Sequence, residues 1–433
     1  MAENTREIIL DTLLSLERGE DFSHKLIKAV LDKYDYLDGR DKAFIKRVTE
    51  GTIERQLELD YYLNHFSSVP VRKMKPLIRC LLRMSTYQLL YMDAVPDSAV
   101  CNEACKLADK RKFHNLKGFV NGVLRNISKQ KENMPLPDPE KGMAEYLSIK
   151  YSMPQWLVEH LSVAYGSDST ATILEGMQRI HPVSLRFKTT MTDQERQESV
   201  AAIEAAGVSL QQSEYLPYVY TAEHLESMAE LPGFAEGLFI VQDVSSAMAV
   251  EAANIKKADF VMDICAAPGG KSILAAEKAD RVLSRDVSEA KTSIIEENLE
   301  RMQITNVEVE VFDATRKDEE YHERADVVLM DVPCSGLGVM GKKRDIKYHV
   351  SPEGLQSIVQ LQKQIVESSW QYVKPGGTLL YSTCTLNPAE NQGMVDWIVN
   401  NFPFEQEEVR TILPGFMEAD GFFFARLHRR TEE

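Results

Sequence analysis

Long apolar runs are missing from this 433-residue chain, and no stretch approaches the roughly 20 apolar residues that a membrane span needs. No membrane partner is expected. Low-complexity tracts are missing too, and 44% apolar with 27% charged residues is the composition of a globular protein. Cysteine is sparse. The six, at positions 80, 101, 105, 265, 334 and 384, lack the dense framework of a secreted scaffold, so reduced thiols are expected. The first residues carry acids and no signal-peptide core, and cytoplasmic residence is the expectation. Cys101 and Cys105 stand one helical turn apart with no His or second cysteine pair at zinc-like spacing, so no metal is expected. Two nucleotide signatures also fall short. Gly270-Lys271-Ser272 supplies the end of a phosphate-binding loop, but the position of its first glycine holds Cys265, and no Gly-x-Gly-x-x-Gly occurs.

What is present is enough chain for two or three domains. The net charge of -16 argues against a polyanionic partner until it is mapped along the sequence. Residues 1–130 hold 22 Lys and Arg against 18 Asp and Glu, and His65 to Gln130 alone hold 12 against 4. The rest of the chain holds 28 against 48. A basic module on an acidic body suits a local binding face for nucleic acid, although a solvated helix surface would look the same by charge alone.

The first part reads as helices, with apolar residues recurring at three and four (Ile8, Ile9, Leu13, Leu16; Leu77, Ile78, Leu81, Leu82, Leu89, Leu90). Gly118 and Gly122 are expected to permit close helix approach. Three prolines between Met134 and Pro139 mark a linker. These signals divide the chain into an all-α domain at 1–132, a small α+β, RRM-like subdomain at 143–237, and an α/β, Rossmann-like catalytic domain at 238–433. In the last, strands at Phe260 to Ile264, Arg281 to Ser284, Val307 to Phe312, Val327 to Met330 and Thr378 to Tyr381 alternate with helices. That pattern predicts a doubly wound, mainly parallel sheet, which binds ligands at the carboxyl ends of its strands.

Chemistry-bearing residues fall at those ends. Asp263 precedes the turn Cys265-Ala266-Ala267-Pro268-Gly269-Gly270-Lys271, whose glycines lay backbone bare for a ligand. Asp286, at the end of the next strand, is placed to accept from ribose hydroxyls, and Asp313, after the third, to meet an adenine edge. A ligand with a ribose and an amino group fits, and S-adenosyl-L-methionine is one. Cys334, in Asp331-Val332-Pro333-Cys334-Ser335-Gly336, and Cys384, in Tyr381-Ser382-Thr383-Cys384-Thr385, follow the last two strands. Thiols there imply covalent chemistry on a base, because a thiol is the strongest side-chain nucleophile near neutral pH. Either sulfur is a candidate for the attack. Lys342, Lys343, Arg344 and Lys347 read as phosphate contacts, or equally as an exposed charged loop.

Together, Cys265 to Ser272, Asp331 to Gly336, and Tyr381 to Cys384 followed by Asn387-Pro388-Ala389-Glu390-Asn391 resemble the NOL/NOP/Sun family of RNA cytosine-5 methyltransferases. The helical amino-terminal part is similar to NusB, which points to the Sun/Fmu branch acting on small-subunit (16S) ribosomal RNA. The resemblance implies that the Cys265–Lys271 loop, Asp286, Asp313 and Asp331 contact S-adenosyl-L-methionine and that Cys384 is the nucleophile. On that chemistry Cys334, or a water it positions, is the candidate to assist release of the carbon 5 proton, and Asp331 the candidate to bond to ring nitrogen 3, which requires burial and anionic neighbours to raise its carboxyl pKa. DNA cytosine-5 methyltransferases attack from their Pro-Cys motif, which would nominate Cys334; the second cysteine motif is the mark of the RNA family. The resemblance implies ribosomal RNA as partner, and a monomer is expected. Two other readings stand: a transfer RNA methyltransferase, and a non-catalytic RNA-binding scaffold. Phe187-Lys188 departs from the family pattern in the middle domain, and Met302-Gln303 departs after the second helix of the catalytic domain.

Overall fold

The computed structural model describes residues 4–19, 22–179, 182–223, 225 and 227–431. They form two compact units, one of Met1–Ala171 with Lys342–His349 and one of Thr172–Gly341 with Val350–Glu433.

The first unit is helical. Asn4 and Asp38 cap helices Thr5–Glu17 and Gly39–Glu54 by accepting from backbone amides, and Pro76 opens helix Pro76–Tyr91 where a missing N–H costs nothing. The apolar periodicity becomes a core containing Ile9, Leu10, Val48, Leu59, Leu63, Leu81, Leu82, Leu124 and Ile127. The close approach expected at Gly118 and Gly122 does not occur. Both lie on the exposed face of helix Lys117–Gln130, opposite Val120, Val123, Leu124 and Ile127, and a Cβ there would meet nothing within 4 Å. Gly51 takes that role instead, since a Cβ would fall 2.0 Å from the Tyr87 ring. Helices Met143–Lys150 and Gln155–Tyr165 follow the proline segment within this unit, and Ser152 Oγ accepts from Leu57 N at 3.0 Å.

The second unit holds two sheets. In the smaller, β1 (Val183–Phe187), β2 (Ser209–Gln212), β3 (Val219–Glu223) and β4 (Phe239–Val241) run in the order β2-β3-β1-β4, all antiparallel. Helix Asp193–Ala205 follows β1 and opens on a capping box between Thr192 and Glu195, a motif that contributes about 1 kcal/mol. Phe187 is fully buried against Tyr220 and Phe239, so this departure from the family pattern is a core residue.

The larger sheet contains β5 (Phe260–Asp263), β6 (Arg281–Asp286), β7 (Val307–Val311), β8 (Ala325–Asp331), β9 (Val373–Thr383), β10 (Phe404–Ile412) and β11 (Phe422–Arg429). Their order is β10-β11-β9-β8-β5-β6-β7, with β7 to β9 parallel across the sheet and β11 and β10 antiparallel. This is a Rossmann-like methyltransferase sheet. Its parallel strands are buried on both faces, with Val261, Leu329 and Leu380 on one and Met262, Val328 and Leu379 on the other. Strand order reverses between β5 and β8, and the crevice at their carboxyl ends is where such sheets receive ligands. The Cys265–Lys271 turn and the two cysteine motifs follow β5, β8 and β9 at that end of the sheet.

Candidate active site

The turn after β5 is built around its glycines. Gly269 has φ +101°, and a Cβ there would stand 3.2 Å from Ile295 Cγ2, so only glycine fits both the backbone and the space. Ala266 N donates to Arg285 O at 2.9 Å and Gly269 N to Ala266 O at 2.7 Å. The Ala267–Pro268 peptide is cis, and Gly270 begins helix Gly270–Ala276.

Each sequence-predicted acid lies at a strand end, but they are not equivalent. Asp286 accepts from Ala267 N at 3.0 Å through Oδ2, and from Val287 N at 2.7 Å and Lys291 Nζ at 2.9 Å through Oδ1. An ionised carboxylate has about four lone-pair sites, so Asp286 organises the turn and keeps one site open. Asp313 Oδ1 accepts from Thr315 N (2.9 Å) and Thr315 Oγ1 (2.7 Å), bonds that hold its carboxyl below the usual range. Asp263 is buried, 1% exposed, and takes a bond from Ser272 Oγ at 2.7 Å on Oδ2, while Oδ1 has no partner among the described residues. Burial pushes its carboxyl up to about 7. Burial likewise pushes up the Cys265 thiol, with the neighbouring acids Asp263, Asp286 and Asp331 adding to it.

The Asp263 shift has a stability consequence. The folded state binds a proton that the unfolded chain, titrating near the ordinary carboxylate value, releases earlier. Between about pH 4 and pH 7 this group therefore costs the fold up to about 1.4 kcal/mol per pH unit as pH rises. Asp263→Asn, which still accepts from Ser272, is expected to flatten that decline in denaturant titrations from pH 5 to 8. Parallel wild-type and variant curves would contradict the assignment.

Across the crevice, Lys271 reaches Asp331 at the end of β8, with Nζ 2.8 Å from Oδ2. Ser382, at the end of β9, donates to Asp331 Oδ1 at 2.7 Å, as the β8–β9 register sets those two residues opposite each other. Lys271 Nζ also stands 5.3 Å from the centre of the Phe422 ring. Burial pulls the ammonium down, but Asp331, with Asp263 and Cys384 adding to it, more than restores it. The turn and the first cysteine motif are thus tied by one ion pair, which sequence spacing did not show.

The two cysteines meet. Cys334 lies three residues past Asp331 and Cys384 two past Ser382, so the parallel register brings their loops side by side, with Sγ–Sγ 3.1 Å. Neither is in a disulfide, and both are half-buried. The hydrogen bond with Cys384, burial and nearby Glu390 hold the Cys334 thiol well above its ordinary value. Gly338 N donates to Cys384 O at 3.0 Å, and a Cβ on Gly338 would fall 1.9 Å from Gly421 O, so the loops close around a position that takes only glycine.

Two residues of the basic segment after the first cysteine motif, Arg344 and Lys347, do not stand as free phosphate contacts. Residues Lys342–His349 belong to the helical unit. There Arg344 pairs with Glu54 at 2.6 Å. Lys347, 4% exposed, donates to Glu54 O at 2.7 Å and Ser152 O at 2.6 Å. Burial pushes the Lys347 ammonium down to about 7. A charge count reads such residues as solvated because it carries no information on their partners; Lys342 and Lys343 are exposed. Among the described residues, no helix is long and apolar enough to cross a membrane.

Comparison with known proteins places this geometry. The model of the 16S rRNA methyltransferase RsmB/F family matches residues 250–428, the NusB family model residues 3–129, and an RsmF/B-like ferredoxin-like domain residues 153–223. A Bacillus subtilis protein named "Probable ribosomal RNA small subunit methyltransferase B" is 32% identical over 99% of both chains. The Salmonella arizonae protein named "Ribosomal RNA small subunit methyltransferase B" is 31% identical over 96% of both. Among solved structures, the crystal structure of PH0851 superposes with a TM-score of 0.79 at 26% identity, covering 99% of each chain.

Proposed function

Because the chain belongs to the RsmB/F family of 16S rRNA methyltransferases, we propose that it methylates carbon 5 of a cytosine in small-subunit ribosomal RNA through a covalent cysteine adduct. The observation that carries this reading is the pair of sulfurs 3.1 Å apart, beside the Lys271–Asp331 ion pair, at the carboxyl ends of adjacent strands. Three working regions accompany it, at 1–132, 143–237 and 238–433. The partner is ribosomal RNA, and the helical first region supplies an RNA-binding module.

The residues present fit S-adenosyl-L-methionine. The turn Cys265, Ala266, Ala267, Pro268, Gly269, Gly270 and Lys271 is closely packed at Gly269, and Asp263 Oδ1 is an orphaned buried acceptor of the kind an ammonium fills. Asp286, Asp313 and Asp331 complete the set. When bound, this group supplies a methyl on an electrophilic sulfonium.

The chain's own groups do the rest. Carbon 5 of cytosine is too electron-poor to attack a sulfonium, so the Cys384 thiolate adds to carbon 6 and pushes the ring electrons toward carbon 5 and nitrogen 3. Asp331, fixed by Lys271 and Ser382, holds the ring at nitrogen 3. A water positioned by the Cys334 thiol takes the carbon 5 proton, and the electrons of that C–H bond then expel Cys384. The base must stand outside a helix to reach both sulfurs, at a cost of a few kcal/mol that is least in a loop.

The test is nucleoside mass spectrometry after incubation with S-adenosyl-L-methionine and either 16S ribosomal RNA or transfer RNA. 5-Methylcytosine in the ribosomal RNA is expected. Methylation of transfer RNA alone, or at another ring position, would refute the reading.

A further inference from the structure

One buried carboxylate next to the sulfurs has no part in the chemistry above. Glu390 is 0% exposed, and four donors surround it, none of them a cation. Oε1 accepts from Ser335 Oγ at 2.5 Å and Asn387 Nδ2 at 2.9 Å. Oε2 accepts from Ser335 N at 2.8 Å and Gln362 Nε2 at 3.2 Å. Four bonds occupy the full acceptor capacity of a carboxylate.

The bonds are not arranged at random. Gln362 Nε2 also donates to Pro333 O at 3.0 Å, so the peptide bearing Cys334 is gripped on both sides, at Pro333 and at Ser335. Ser335 Oγ lies 2.6 Å from Thr385 Oγ1, the neighbour of Cys384, and Asn391 Nδ2 donates to Thr385 O at 2.9 Å. Tyr381 OH bonds to Glu390 O at 2.7 Å and Gln362 Oε1 at 3.1 Å. Every path between the two cysteine loops through these side chains runs to or beside Glu390. A buried negative charge without a cation is costly, and a structural loop tie needs only neutral groups.

The geometry points to Glu390 as a positioning residue that locks the Cys334 loop onto the Cys384 loop and sets a negative charge against the peptide next to Cys334, so that the two sulfurs hold different roles. This rests on the two-cysteine reading of the function. The direction of the Cys334 shift agrees, since Glu390 contributes to it after the Cys384 bond and burial. A charge that favours the thiol at Cys334 keeps it from competing with Cys384 as the attacking sulfur.

The experiment uses the full chain without RNA. Iodoacetamide labelling of Cys334 and Cys384 is followed by peptide mass spectrometry from pH 6 to 10 in wild type and Glu390→Gln. Loss of the charge favours the thiolate, so Cys334 in the variant is expected to label roughly tenfold faster at pH 8. A folded Glu390→Gln with an unchanged Cys334 profile would overturn the proposal. Should Glu390→Gln not fold, Glu390→Asp keeps the charge but draws it back by one methylene; a near-native labelling midpoint with kcat down about tenfold and KM for RNA little changed is then expected. Native kcat in Glu390→Asp would equally overturn it. Labelling needs no methylation, so failure of wild type to methylate RNA sinks the proposed function and not this result.

Discussion

Cys384→Ala is expected to yield a folded protein that methylates no RNA, with activity lower by at least about a thousandfold. The size follows from the chemistry: without an adduct at carbon 6 there is no route to a nucleophilic carbon 5, and the loss is of a whole step. Cys334 cannot take over, although its sulfur stands only 3.1 Å away. Its hydrogen bond to Cys384, its burial and the charge of Glu390 all favour the thiol. Alanine removes the first of these but leaves the others. Folding should survive, because Cys384 is half-buried and the loop is held by Gly338, Thr385 and Asn391. Methyl transfer from labelled S-adenosyl-L-methionine checks activity, and thermal unfolding checks the fold.

Cys334→Ala is expected to fail at the other end of the cycle. Adduct formation and methyl transfer need Cys384 and Asp331, both still present, whereas elimination needs the carbon 5 proton removed. RNA–protein complexes that survive denaturing electrophoresis should therefore accumulate on unmodified cytosine RNA, and multiple turnover should drop by about a hundredfold or more. The double variant should form none. Complexes formed by Cys384→Ala and not by Cys334→Ala would exchange the two roles.

Much of this site was legible as sequence because strand ends are easy to locate. Short β-branched runs such as Phe260 to Ile264 and Val327 to Met330 are buried on both faces, and in a parallel sheet their carboxyl ends are the ligand side. That logic sets Asp263, Asp286, Asp331, Cys334 and Cys384 at or just past strand ends. It does not reveal β10, where Glu405, Glu407 and Glu408 interrupt the apolar pattern of a strand; charges of this sort protect a sheet edge, and β10 is an edge strand. Nor did it find that Lys342–His349 returns to the helical unit, because Arg344 and Lys347 have partners at Glu54 and Ser152, far away in sequence. Helix Gly118 and Gly122 failed for a related reason: small residues allow close packing but do not specify which face is packed. Glu390 was visible within a family motif, yet its meaning depends on Ser335, Gln362 and Asn387 converging on it from three segments.

The central claim is that the sulfur at position 384 bonds to the pyrimidine ring. Its most direct test is to incubate the wild-type protein with S-adenosyl-L-methionine and 5-fluorocytosine-substituted 16S RNA, where the ring cannot lose fluorine and the adduct persists, then to sequence the cross-linked peptide by tandem mass spectrometry. The account predicts the nucleotide mass on Cys384, within Tyr381 to Asn391. The same mass on Cys334, or no stable adduct while methylation of ordinary RNA proceeds, would contradict it.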